Sequence, residues 1–299
     1  AEMFGMEAGL FCPSGTMTNQ IAIAVHTSPG EEVICDKLSH IYNYEGGGIA
    51  RLSGASVRLL QGDLGRFTAS DVRSNVNPLD SHYAKTSLVS LEDTCNKGGG
   101  SIWDLSELRE VSKVSRELGL AVHLDGARLW NAIVARGIHN DVKALQEYGS
   151  NFDSISLCFS KGLGCPIGSV LIGSTSFIAK AHRARKVFGG GMRQAGIVAA
   201  AGIYALENNI DRLEIDHARA KRLGEAALHH PSVISHYPID TNIVILELQK
   251  GVDADALSAE WGRNGIECFQ FGPSSIRFVT HLDNTDAQID AACNYLSKI

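Results

Sequence analysis

Short β-branched or apolar runs alternate with helical patterns along the first two thirds of the chain. The runs fall at residues 8–12, 32–36, 57–60, 87–92, 121–125, 154–159 and 168–173. Such alternation predicts an α/β architecture, a mostly parallel sheet with helices on its faces. The clearest helix begins at Asp104, with Glu107 three residues on as a capping box requires. Leu105, Leu108, Val111, Val114 and Leu118 share one face of it before Gly119 ends the pattern, so it reads as a crossover helix feeding the strand at 121–125. A second apolar stretch, 195–206, is rich in Ala and Gly and falls short of the ~20 residues that span a bilayer, so it predicts a buried helix and no membrane partner.

From about residue 206 the pattern changes. A basic amphipathic helix over 213–228 precedes strands at 242–248, 266–271 and 276–279. A final helix opens at Thr285 with Gln288 as its capping-box partner. The expected organisation is therefore a large domain over 1–205 and a smaller C-terminal α+β domain over 206–299.

Composition narrows the function. The length of 299 residues suits two domains at roughly 150 residues each. With 44% hydrophobic and 20% charged residues the chain lies far from disordered compositions. The 27 Lys and Arg against 33 Asp and Glu, a net charge of -6, leave no basic field for nucleic acid. Seven cysteines, none spaced C-x-x-C and most set in apolar runs, read as small buried hydrophobes of a reducing compartment. The chain opens without a signal-peptide pattern, so a cytoplasmic location is expected. Neither the cysteines nor the 11 histidines have zinc-type spacing, and no metal is expected.

Ligands of open α/β sheets bind beyond the carboxyl ends of the strands, and three features fall there. After the first strand, Ser14-Gly15-Thr16-Met17 is a glycine turn opening a helix; its free N–H groups suit a phosphate, and an ordinary turn capped by Thr16 is the alternative. Asp125 ends an apolar strand before Gly126-Ala127-Arg128, either paired with Arg128 or facing a cationic cofactor nitrogen. Lys161 follows another apolar strand in a glycine-flanked turn, where partial desolvation lowers a lysine pKa and allows a Schiff base. Together, and in this order, the three suggest a pyridoxal 5'-phosphate site.

With these residues the chain resembles the threonine aldolases, within the fold type I (aspartate-aminotransferase-like) pyridoxal-phosphate enzymes and the wider β-eliminating lyase group. The motifs carrying the resemblance are Ser14-Gly15-Thr16-Met17-Thr18-Asn19, His40 through Gly47, His123-Leu124-Asp125-Gly126-Ala127-Arg128, Ser160-Lys161-Gly162-Leu163-Gly164, Gly189 through Gln194, and Arg277-Phe278-Val279-Thr280-His281. The resemblance implies that Lys161 binds the cofactor covalently, Asp125 holds its ring nitrogen protonated, His40 stacks on the ring, and Gly15 and Thr16 cradle the phosphate. It implies further that Arg193, with Lys186, approaches from a neighbouring subunit of a homodimer or homotetramer, and that Arg128 and Arg277 grip the carboxylate of a small amino-acid substrate. The implied reaction is retro-aldol cleavage of L-threonine or L-allo-threonine to glycine and an aldehyde. The same residues would also serve β-elimination, racemisation, or cofactor binding with little turnover.

Two positions depart from the family pattern. Cys95 stands where the family commonly has a histidine, which would leave removal of the β-hydroxyl proton to His40, a water or a substrate-facing Glu45. The opening residues 1–5 read as the tail of a helix, so the resemblance also implies a piece of a longer chain.

Overall fold

A computed structural model describes residues 1–297. Seven strands form the main sheet: β1 (Ala8–Cys12), β2 (Glu32–Asp36), β3 (Ser56–Leu60), β4 (Thr86–Glu92), β5 (Ala121–Gly126), β6 (Ser154–Cys158) and β7 (Ser169–Gly173). Their order is β1-β7-β6-β5-β4-β2-β3. β3, β2, β4, β5 and β6 are mutually parallel, and β7 is antiparallel to both β6 and β1. Only β7 thus runs against the rest, and the carboxyl ends of the other six share one edge. All seven runs expected from the sequence are strands, because β2, β4 and β6 are buried on both faces and their unbroken apolar character requires it.

Helices cover the two faces. α1 (Gly15–His26) is capped by Ser14, whose extended backbone and hydroxyl accepting from Met17 N–H start the helix one residue before Thr16. α2 (His40–Asn43) and α3 (Ala69–Asn75) are short. α4 (Leu105–Glu117) buries Leu108, Val111 and Val114, and Gly119 at φ 73° ends it. Asp104 caps it by accepting from Ser106 and Glu107 N–H, while the reciprocal bond from the Glu107 side chain is not formed among the described residues. α5 (Leu129–Ala135), α6 (Val142–Gly149) and α7 (Thr175–Val187) complete the layers. Leu108, Leu124 and Leu129 sit in the central core, fully enclosed, each stabilising by ~2 kcal/mol relative to exposure.

The helix expected to be buried at 195–206 is α8 (Gly196–Asn208), and it is largely open: Ile197 and Tyr204 are 84% and 63% exposed. Its apolar residues run around the whole cylinder; Gly202, against Phe159, and Ala205 are buried, and Ala201 and Leu206 are partly buried against the core. α9 (Leu213–Ala227) then leads to a second, antiparallel sheet of order β10-β11-β9-β8. Its strands are β8 (Val233–His236), β9 (Ile243–Leu248), β10 (Phe269–Gly272) and β11 (Ser275–Val279). β8 was not apparent in the sequence pattern, and β10 is shorter than the run at 266–271. α10 (Ala254–Arg263) and α11 (Asp286–Leu296) pack on this sheet around Trp261, and α11 has the reciprocal Thr285–Gln288 capping box.

Candidate active site

Two cavities open at the carboxyl edge of the main sheet and share His40, Ala127 and Lys161. One, of about 190 Å³, lies between Ser14, Gly15, Thr16 and Asn19 at the start of α1 and Asp125 at the end of β5. The other, of about 440 Å³, extends toward the small sheet between Glu92, Thr94, Asn96, Arg128 and Arg277, with Phe269 and Phe271 on the far wall. Residues more than 100 positions apart meet here because each strand end delivers one group to the same edge.

In the smaller cavity Asp125 is 1% exposed and fixed by two donors. Ala127 N–H reaches one carboxylate oxygen at 3.1 Å and the Asn19 amide reaches the other at 2.9 Å. Burial and the nearby Glu45 carboxylate push the Asp125 pKa up from the usual carboxylate range. Gly15 and Thr16 lie in the first turn of α1, where backbone N–H groups lack helical partners. Lys161 follows β6 and lines both cavities. Partial enclosure of its ammonium and the neighbouring Arg128 charge lower its pKa from the ordinary lysine value.

His40 starts α2 and forms the wall between the cavities. Its backbone N–H donates to Glu92 at 2.8 Å, and its Nδ1 is 3.0 Å from Glu45 Oε1. The Glu45 hydrogen bond raises the His40 pKa against the opposing effect of burial. Glu45 itself faces away from substrate space. Its side chain is fully enclosed, with Asn19 and His40 on one oxygen and Gln20 on the other at 2.6 Å, so it is a support for His40 rather than a substrate contact. His40, Glu45 and Asp125 bring ligand-type atoms within 4.8 Å of one another. The Asn19 NH₂ group donates into the midst of them, to Glu45 and Asp125 together, an arrangement built for hydrogen bonds rather than for a cation.

The larger cavity holds the two guanidinium groups, and among the described residues neither has a carboxylate partner. Arg128 and Arg277 both donate to the Asn96 side-chain oxygen, at 3.0 and 3.1 Å. Burial and the Arg277 charge lower the Arg128 pKa to about 10, and burial lowers that of Arg277. Asn96 is held by its own N–H donating to Glu92 at 2.8 Å. Glu92 ends β4 directly beside Asp125 on β5, and burial together with that neighbour raises its pKa. Neither Glu92 nor Asn96 was singled out from the sequence; the only signal was their place at the end of an apolar strand. Just after Asn96, Gly99 and Gly100 lie close against the small sheet, near Ile245 and Ile243 of β9. A Cβ on Gly100 (φ +75°) would come within 2.5 Å of Thr241 Oγ1.

Cys95 points elsewhere. It is 1% exposed, and a Cβ on Gly65 would lie 2.2 Å from its sulfur. Burial, with the Glu92 charge, raises the thiol pKa well above normal. It is a packed apolar side chain that takes no part in the cavity. All seven cysteines are free, five of them buried. Arg193 and Lys186 are exposed in the segment around the end of α7 and line neither of the two cavities.

The mostly parallel sheet, with Lys, Asp and a glycine turn at its carboxyl edge and a small antiparallel sheet closing over them, defines the fold type I architecture. The β-eliminating lyase family profile matches residues 1–250, and the chain belongs to that family of lyases. It is 44% identical over 253 residues to the low-specificity L-threonine aldolase of Candida albicans, which takes in 83% of this chain and 65% of that one. It is 38% identical over 290 residues to the low-specificity L-threonine aldolase of Escherichia coli, across 97% of this chain and 83% of that one. Among solved structures, the Leishmania major threonine aldolase superposes with a TM-score of 0.82 at 22% identity, covering 97% of this chain and 84% of that one, which speaks to the fold.

Proposed function

We propose that this chain is a pyridoxal 5'-phosphate-dependent aldolase that cleaves L-threonine, L-allo-threonine and related β-hydroxy-α-amino acids to glycine and an aldehyde. The observation that carries this reading is the pair of adjoining cavities, one with the donor set a pyridoxal phosphate needs and the other with two uncompensated guanidiniums for a carboxylate. The donors suit the cofactor group by group: helix N–H groups of Gly15 and Thr16 for a phosphate, Asp125 for a ring nitrogen, Lys161 for an aldehyde carbon and the His40 ring for a face. When bound, the cofactor supplies a sink for the electron pair left on Cα.

The chain's own residues do the rest. Arg128 and Arg277 take the substrate carboxylate, exchanging the shared Asn96 oxygen for two charge-assisted contacts, and so fix which Cα bond is turned to break. His40 donates from Nδ1 to Glu45, which leaves Nε2 of the neutral ring free to accept the β-hydroxyl proton. As that proton leaves, the C–O bond becomes a carbonyl, the Cα–Cβ bond breaks and the aldehyde departs. A proton returned to Cα within the same cavity, where Lys161 titrates below an ordinary lysine, completes glycine.

The exposed apolar residues of α8 and the outward position of Arg193 and Lys186 support a homodimer or homotetramer in which these basic groups reach a neighbour's site. The same reading divides the chain at about residue 205 and places it in the cytoplasm; among the described residues no helix is long and apolar enough to cross a membrane.

The test is a visible spectrum of the purified chain with pyridoxal 5'-phosphate, before and after L-threonine, with aldehyde and glycine measured together. A lysine-bound cofactor band and both products are expected, and Lys161→Ala abolishes both. Cofactor still covalently retained by Lys161→Ala after borohydride reduction would show that another group carries it, and products other than glycine with an aldehyde would point to elimination or racemisation.

A further inference from the structure

An unbroken hydrogen-bond chain crosses the main sheet beneath Asp125, from one edge to the other. At the far edge His26 closes α1, stacked on Phe177 at 4.6 Å in the wall of a cavity of about 600 Å³. Its Nε2 lies 2.8 Å from Ser154 Oγ at the start of β6. That hydroxyl is 2.9 Å from His123 Nδ1 in the middle of β5, and His123 Nε2 is 3.2 Å from the Asn19 side-chain oxygen. Asn19 then donates to Asp125 at 2.9 Å and to Glu45 at 2.8 Å.

Valence fixes the direction of every link. Two carboxylates accept from Asn19, so its NH₂ faces them and its oxygen faces His123. His123 must therefore carry its proton on Nε2 and accept at Nδ1. The single Ser154 proton goes to that Nδ1, and the Ser154 oxygen accepts from His26 Nε2–H. The His123 ring has to be neutral for this, since its Nδ1 accepts, and burial makes it so, lowering its pKa to about 3; burial lowers that of His26 as well, to about 4. Around His26, Asp153 raises and Lys180 lowers the same pKa, and neither charge stands against His123. Every donor in the line thus points toward the acids of the site, and aligned bonds polarise one another in a low dielectric.

We infer that His26, Ser154, His123 and Asn19 form a directed donor relay whose task is to hold the Asp125 carboxylate oriented and ionised toward a protonated ring nitrogen. His123 and Asn19 are positioning residues that act through Asp125. The inference rests on the role of Asp125 proposed above. Loss of the His123 ring leaves the Asn19 oxygen unpaired. The amide can then rotate and turn that oxygen against Asp125, which disfavours the charged carboxylate.

Two measurements test this. Long-range ¹H–¹⁵N correlation spectra of the histidine-labelled chain without cofactor are expected to show His123 and His26 neutral and protonated at Nε2 between about pH 5 and 8. A proton on Nδ1 of His123, or its titration within that window, would overturn the relay. Fluorescence titration with pyridoxal 5'-phosphate is expected to give about tenfold weaker binding for His123→Phe, with most of the affinity kept in His123→Gln, whose amide can still donate to Asn19. A folded His123→Phe that binds the cofactor as tightly as the unmodified chain would refute the positioning role. Cofactor binding by no form, with the tautomers as stated, would instead overturn the role of Asp125 and the inference built on it.

Discussion

Arg136 and Arg212 belong to the frame of the molecule, Arg128 and Arg277 to its larger cavity, and the two pairs are treated in opposite ways. Arg136 meets the enclosed Asp93 at 2.9 Å and the Trp103 carbonyl at 2.7 Å, with Tyr148 donating to the same carboxylate at 2.8 Å. Arg212 holds the enclosed Asp216 with two bonds, at 3.0 and 2.6 Å. Each frame cation thus has its own carboxylate. The cavity pair shares one neutral amide oxygen instead, and the carboxylates beside them, Glu92 and Asp125, are bound to backbone N–H groups and Asn19. Charge is paired with charge in the frame and left without a carboxylate partner in the cavity, where under the proposed function the substrate carboxylate supplies the missing sign.

The largest effect that could break this contrast is on stability. Arg136→Ala leaves Asp93 buried without its cation and is expected to cost ~3–5 kcal/mol of unfolding free energy in a denaturant titration; a cost under about 1 kcal/mol would show that the frame pair is no different from a surface pair. Arg277→Ala should do the reverse, leaving the unfolding midpoint nearly unchanged while kcat/KM for L-threonine falls by about a hundredfold or more. Parallel losses of stability and activity would place Arg277 in the frame. Asn96→Asp sharpens the comparison by giving the cavity arginines the partner they lack: stability should hold or rise slightly, and the KM for L-threonine should rise about tenfold with less change in kcat. An unchanged KM would mean that Asn96 does not compete with the substrate carboxylate.

The smallest expected effect concerns His40, which is paired and yet borders the cavity. Glu45 raises its pKa, and a ring that must accept a proton works only above that pKa. The acid limb of kcat/KM should therefore lie above the ordinary histidine value of about 6.5 and move to lower pH in Glu45→Gln, with less than about a tenfold change at neutral pH. Asp125 and Glu92 also raise this pKa and remain in the variant. A limb that stays in place would remove His40 from the proton transfer.

Much of this was legible in residue order. The seven main strands follow from unbroken apolar runs, and Asp125 and Lys161 could be placed at strand ends because a polar residue after such a run has nowhere else to go. The arrangement around Asn96 was not legible, because its two arginine partners lie 32 and 181 positions away. Glu45 was expected to face the substrate as one of the groups left to take the β-hydroxyl proton, and only the packing of α1 shows Asn19 and Gln20 occupying it. The exposed α8 was misjudged since its composition, Ala and Gly with scattered Ile, does not tell a buried helix from an exposed one.

Sequence by itself determined the strand pattern, the residues able to carry charge or a proton, and the family motifs that hold them, because these depend on local periodicity and on residue type. Tertiary structure alone decided which of those groups are spent on one another. Cys95 became packing, Glu45 the hydrogen-bond partner of His40, Asn96 the shared acceptor of two arginines and His123 a link in a buried line. The reason is that a side chain's chemistry is set by what lies within about 3 Å of it, and in a parallel sheet those neighbours come from strands far apart in the chain.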